Sequence, residues 1–206
     1  MRLKALACAA AFCACARAPL KRPPLIDAVW KRRPDEVRRL LAEHAPLDEK
    51  GPAGFTALHP AALLGDAPTA RLLVKLGAAM DAVDDAGETP AHLAAETANS
   101  EALRGLLDSG AFIDARDKRE RTPLIAAAAA GRFDAASALV DRRALVDAQD
   151  EDGNTALMLA AEAGQTDLVR LLLDHGADPD TRDRRGRTAA GRAGNKSVAR
   201  MLSERR

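Results

Sequence analysis

The sequence predicts an all-α solenoid built from helix-turn-helix units about 33 residues long. Three observations carry that prediction. First, Thr56, Thr89, Thr122, Thr155 and Thr188 recur at intervals of 33 residues, and the segments after them align without gaps. A fixed period of this length marks a repeat architecture, in which each unit buries its apolar face only against its neighbours. Second, 47% of the chain is hydrophobic but only 2% is aromatic, so the core is assembled from Ala and Leu and its helices approach closely. Third, Gly77, Gly110 and Gly176 share one register and are each followed by Ala. Glycine there stops a helix in a left-handed cap.

Each element of a unit has its own local cause. The threonines are N-caps, and Pro90 and Pro123 follow at the first helical position, where a missing N–H costs nothing. Ala pairs such as Ala94-Ala95 and Ala160-Ala161 permit close helix contact. Runs such as 70–74 and 169–173 give the second helix an apolar face. Asp-rich segments such as Asp150-Glu-Asp-Gly153 supply the next turn. Residues 25–50 read as a degenerate first unit, with 25–29 standing in for the first helix and Pro34 opening the second. Trp30, the single Trp, is expected in this N-terminal cap. In the last unit Gly191 and Gly194 predict a loose first helix, while Val198, Met201 and Leu202 dock on the preceding unit.

The segments Thr56-Ala-Leu-His-Pro-Ala-Ala, Thr89-Pro-Ala-His-Leu-Ala-Ala, Thr122-Pro-Leu-Ile-Ala-Ala-Ala and Thr155-Ala-Leu-Met-Leu-Ala-Ala resemble the ankyrin repeat. The resemblance covers residues 25–204 and implies an array of about six repeats, at 25–50, 51–83, 84–116, 117–149, 150–182 and 183–206. It also implies a non-catalytic scaffold that binds another protein through a concave face of turn tips and first helices. His59 and His92 occupy the His position of the motif, where the resemblance implies a structural hydrogen bond.

Residues 1–16 read as a secretory signal peptide: Arg2 and Lys4, an apolar stretch, and Ala14-Cys15-Ala16 as a small-residue cleavage site. Residues 17–24 then form a linker to the repeat domain at 25–206. Phe12-Cys13-Ala14-Cys15 also resembles a lipoprotein box, with a lipid anchor on Cys15, although Phe12 and Cys13 suit it poorly. The expectation is an exported chain, periplasmic in a Gram-negative bacterium, with secretion or lipid anchoring as alternatives. All three Cys lie in this segment, so the processed chain holds no thiol.

Charge and motif content exclude several functions. The chain has 31 basic and 30 acidic residues, which does not fit a globally basic nucleic-acid binder. No apolar run reaches the roughly 18 residues of a membrane span. No paired-Cys, HExxH or glycine-rich phosphate motif is present, so neither a cofactor nor a metal is expected. His44 and His175 fall at helix C-termini, and the carboxylates recur with the turns, so an enzyme, such as an envelope hydrolase, is disfavoured.

What remains is a binding surface on a monomeric array. Phe55, Leu63 and Leu64 are candidates for an apolar interface patch, or else Leu63 and Leu64 pack beneath the first unit's helix. Charge changes sign along the tips. Asp85, Glu88 and Glu96 are followed by Lys118, Arg119 and Arg121, then Glu151, Asp152 and Glu162, then Arg184, Arg185 and Arg187. Two readings are open: neighbouring tips neutralise one another, or a striped groove reads a partner of complementary charge order.

Overall fold

The computed structural model describes residues 22–204, where the chain forms eleven α-helices, five sequential pairs and a last single helix. The signal peptide, Cys15 and most of the linker expected at the N-terminus lie outside the described residues. The helices are α1 Pro24–Trp30 and α2 Pro34–Ala42, then α3 Leu58–Leu63 and α4 Ala67–Lys75. They continue as α5 Pro90–Ala95 and α6 Glu101–Asp108, then α7 Pro123–Ala130 and α8 Phe133–Val140. The last are α9 Ala156–Glu162 and α10 Thr166–Asp174, followed by a 3₁₀ turn Ala190–Arg192 and α11 Lys196–Glu204. Among the described residues there is no strand, and no helix is long and apolar enough to cross a membrane.

Helix starts follow the local chemistry. Thr122 and Thr155 accept from the backbone N–H three residues on, and Thr89 forms a reciprocal cap with His92. First helices stack on first helices, from α1 through α3, α5, α7 and α9 to the 3₁₀ turn. Second helices stack likewise, from α4 through α6, α8 and α10 to α11. The seam is lined by fully buried Ala57, Ala61, Ala94, Ala127, Ala160 and Ala161, with Leu58, Leu103, Leu139 and Leu172 filling between the layers. A residue no larger than Ala at each crossing brings the backbones together at native packing density.

The first unit is more regular than expected: residues 24–30 form a full helix. Trp30 is half-buried and stacks on Phe55, with ring centroids 6.3 Å apart. The last unit matches the expectation from Gly191 and Gly194: a single 3₁₀ turn replaces its first helix, while Val198 and Leu202 are buried. Gly194 sits where a Cβ would lie 2.4 Å from the Glu162 carbonyl oxygen, so the chain crosses α9 only because no side chain is present.

Candidate functional site

The tips are built from one repeated carboxylate. Asp84, Asp117, Asp150 and Asp183 are buried, and each Oδ1 accepts the backbone N–H groups two and four residues on. The next tip then bonds to the previous one. Asp85 N–H donates to the Ala53 carbonyl, Lys118 to Ala86, Glu151 to Arg119, and Arg184 to Asp152, at 2.9–3.0 Å. This backbone ladder holds successive tips in one register. A second set of carboxylates links the segments that follow the C-termini of the second helices. Asp48, Asp81, Asp114 and Asp147 each accept the N–H of the residue 31 positions on. Sequence reasoning took these carboxylates only as turn formers. Their 33-residue spacing was the available signal.

The two motif histidines complete the frame. In His59 and His92, Nδ1 accepts the backbone N–H of Thr56 or Thr89 at 3.1–3.2 Å, and Nε2 reaches the Glu88 or Arg121 carbonyl at 3.2 and 2.9 Å. Each imidazole therefore joins its own helix start to the next tip, the structural role that the resemblance implied. Burial pushes His59 down to about 4 and also lowers His92, so both rings are neutral at pH 7.

The expected binding residues divide into three groups. Phe55, expected as part of an exposed patch, is only 8% exposed; it lies between Trp30 and the His59 ring, whose centroid is 5.3 Å away. It is part of the N-terminal cap, because the aromatic face of Trp30 in the first unit covers it. Leu63 and Leu64 are half-buried, and the Leu64 carbonyl accepts from Arg32. A second group of charges is engaged inside the array. Arg121 holds Glu88 at 2.5 Å, Asp117 at 2.6 Å and Glu96 at 3.7 Å. Arg119 holds Glu151 at 2.8 Å and Asp152 at 3.9 Å. Arg187 holds Asp183, and Lys118 donates to the Asp85 carbonyl. Glu162 pairs with Arg192, a buried arginine that also reaches Asp183 and Asn154. Nothing in the motif marked Arg192, which stands in register with Leu93 and Leu159.

The third group is exposed and makes no side-chain ion pair among the described residues: Asp85, Arg184 and Arg185. Large apolar side chains that sequence reasoning missed are also exposed. Phe112 (60%) and Leu145 (59%) occupy one register in adjacent units, and each donates its own backbone N–H to the locking carboxylate, Asp81 or Asp114. Among the described residues no group of His, Cys, Asp or Glu side chains is arranged to hold a metal ion.

These features define a helical repeat scaffold with a row of tips, each unit presenting side chains at the same register. Ankyrin repeats match at residues 25–117, 113–183 and 142–205, and the chain belongs to the ankyrin-repeat family. Such arrays serve as protein–protein interaction modules, typically without catalysis. No curated protein matches the chain.

Proposed function

We propose that this protein is an exported adaptor of the bacterial envelope that binds one other protein through its tips and first helices. It acts as a protective partner or an immunity-type inhibitor and not as an enzyme. The observation that supports this reading most is the tip ladder. It places Asp85, Lys118, Arg119, Glu151, Asp152, Arg184 and Arg185 on one hydrogen-bonded edge. A preorganised edge loses little conformational entropy when a partner docks, which is what a recognition scaffold requires. The basic and apolar opening of residues 1–16 supports the exported location.

The test is capture from an envelope fraction with the full chain, beside a variant carrying Asp85→Lys, Arg184→Glu and Arg185→Glu. These side chains are exposed and outside the internal ion pairs, so the variant keeps its fold. The expected result is one stoichiometric protein, lost with the variant. Capture that is equally strong with the variant overturns the tip-face reading. Native protein found only in the culture medium overturns the envelope role and favours an effector that acts on a host protein.

A further inference from the structure

The backbone ladder along the tips has one open end. At each step a carbonyl of one tip accepts a backbone N–H of the next: Ala53 from Asp85, Ala86 from Lys118, Arg119 from Glu151 and Asp152 from Arg184. These carbonyls recur every 33 residues, and the next in the series is that of Arg185. The sixth tip is the last among the described residues, and among them no hydrogen-bond donor reaches the Arg185 carbonyl. Space is open there as well. A Cβ on Gly54, Gly87 or Gly153 would lie 2.8–2.9 Å from the backbone nitrogen of the following tip, whereas one on Gly186 meets nothing within 4 Å.

The array holds a filled copy of this site two units earlier. Arg119 stands in the register of Arg185 and engages Glu151 twice. Its carbonyl accepts the Glu151 N–H at 2.9 Å, and its Nε donates to Glu151 Oε1 at 2.8 Å. Its guanidinium also lies 3.9 Å from Asp152. Two successive carboxylates on a turn therefore fit an arginine of this register through backbone and side chain together.

At the sixth tip the arginines have no such turn to hold. Arg184 and Arg185 are exposed and make no side-chain ion pair among the described residues. Asp183, their neighbour in the chain, is buried; it accepts the N–H groups of Arg185 and Arg187 and pairs with the guanidinium groups of Arg187 and Arg192. Glu151 and Asp152 of the fifth tip face back toward Arg119.

We propose that the sixth tip is a docking end that takes an acidic turn of another protein. A backbone N–H of that turn donates to the Arg185 carbonyl, and the carboxylate of the same residue meets the Arg185 guanidinium. This docking end rests on the reading of the tips as a protein-binding face. A turn that adds to an open hydrogen-bonded edge draws affinity from main-chain bonds and selectivity from side chains. A phosphate group brings the negative charge without an N–H, so it satisfies the guanidinium and leaves the carbonyl unmet. A second copy of the chain does not fit, because its acidic tips have already spent the required N–H: Asp85 on Ala53 and Glu151 on Arg119.

The probe is the peptide Gln149–Thr155, which carries Glu151 and Asp152 outside the fold, titrated into the isotope-labelled full chain and followed by NMR. The Arg185 carbonyl carbon and the Arg185 Nε–H should shift together. Glu151→Gln with Asp152→Asn in the peptide should weaken binding at least about threefold. No shift, an Nε–H that moves while the carbonyl carbon stays, or equal shifts at the exposed Arg38 and Arg71 overturn the proposal. Tripolyphosphate or phosphatidylglycerol vesicles that move both signals as strongly as the peptide overturn the choice of a protein. The wider reading is judged apart from this one, by envelope capture with single variants of the full chain. Capture kept in Arg185→Glu and lost in Asp85→Lys overturns the docking end and leaves the tip face standing; the opposite pattern supports the docking end.

Discussion

Arg143 stands where Gly77, Gly110 and Gly176 stand in neighbouring units, and it shares their left-handed backbone at φ +64°. A Cβ in that region costs about 1–2 kcal/mol. Glycine removes this cost but leaves the unfolded chain freer, an offset of about 0.4–1 kcal/mol. Arg143 is exposed and makes no side-chain hydrogen bond or ion pair among the described residues, so nothing else is lost on its removal. Arg143→Gly should therefore stabilise the protein by about 0.5–1 kcal/mol, raising Tm by roughly 1–4 °C at this chain length. The reverse changes separate strain from crowding. At Gly110 a Cβ meets nothing within 4 Å, so Gly110→Ala should cost only the strain less the same offset, about 0.5–1 kcal/mol. At Gly87 a Cβ would lie 2.8 Å from the Lys118 nitrogen, whose N–H bonds to Ala86. Gly87→Ala should cost about 2–3 kcal/mol, because the ladder bond is strained as well. Thermal and urea unfolding followed by far-ultraviolet circular dichroism ranks the three. Arg143→Gly less stable than the parent, or equal losses at Gly110 and Gly87, would refute the reasoning.

Phe55→Ala should destabilise the N-terminal cap by about 3 kcal/mol, because a buried ring leaves a cavity beside Trp30; Trp30 fluorescence in a urea titration reads it, and an unchanged midpoint would return Phe55 to the surface. Asp117→Ala strands two tip N–H groups and removes one carboxylate partner of Arg121, so a loss of about 2–4 kcal/mol is expected by chemical denaturation. The motif histidines set a pH dependence of their own. A ring held neutral in the fold contributes stability above its unfolded value of 6.5 that is lost as pH falls toward about 4. For His59 the full loss is about 3 kcal/mol. Urea midpoints between pH 7 and pH 4 should fall less steeply in His59→Gln than in the parent, and equal slopes would show that His59 does not carry the effect.

Much of the fold is legible in the chain because repeat packing is local. Each threonine cap, proline and stop glycine acts within a few residues of itself, and the 33-residue spacing carries that local event along the array. The first unit was harder to read. Its first helix lacks the threonine, and its regularity comes from burial of Leu25, Ile26 and Val29, not from a cap. The binding face was only partly legible. The alternating charges at Lys118, Arg119, Glu151 and Asp152 are plain in the sequence, and whether they face a partner or each other depends on distances across units. Phe55 looked exposed by its register and is covered by a Trp 25 positions earlier that no repeat pattern marks.

The sequence by itself determined the period, the helix starts and stops, and the identity of the residues at each tip. Those follow from backbone chemistry that a side chain imposes on its own neighbourhood. Only the tertiary structure decided which tip charges are engaged and which aromatic is buried. Arg121 meets Glu88 from 33 residues away, and Arg192 meets Glu162 from 30. Electrostatic energy and burial depend on what stacking brings within a few ångströms, and neither composition nor spacing encodes that.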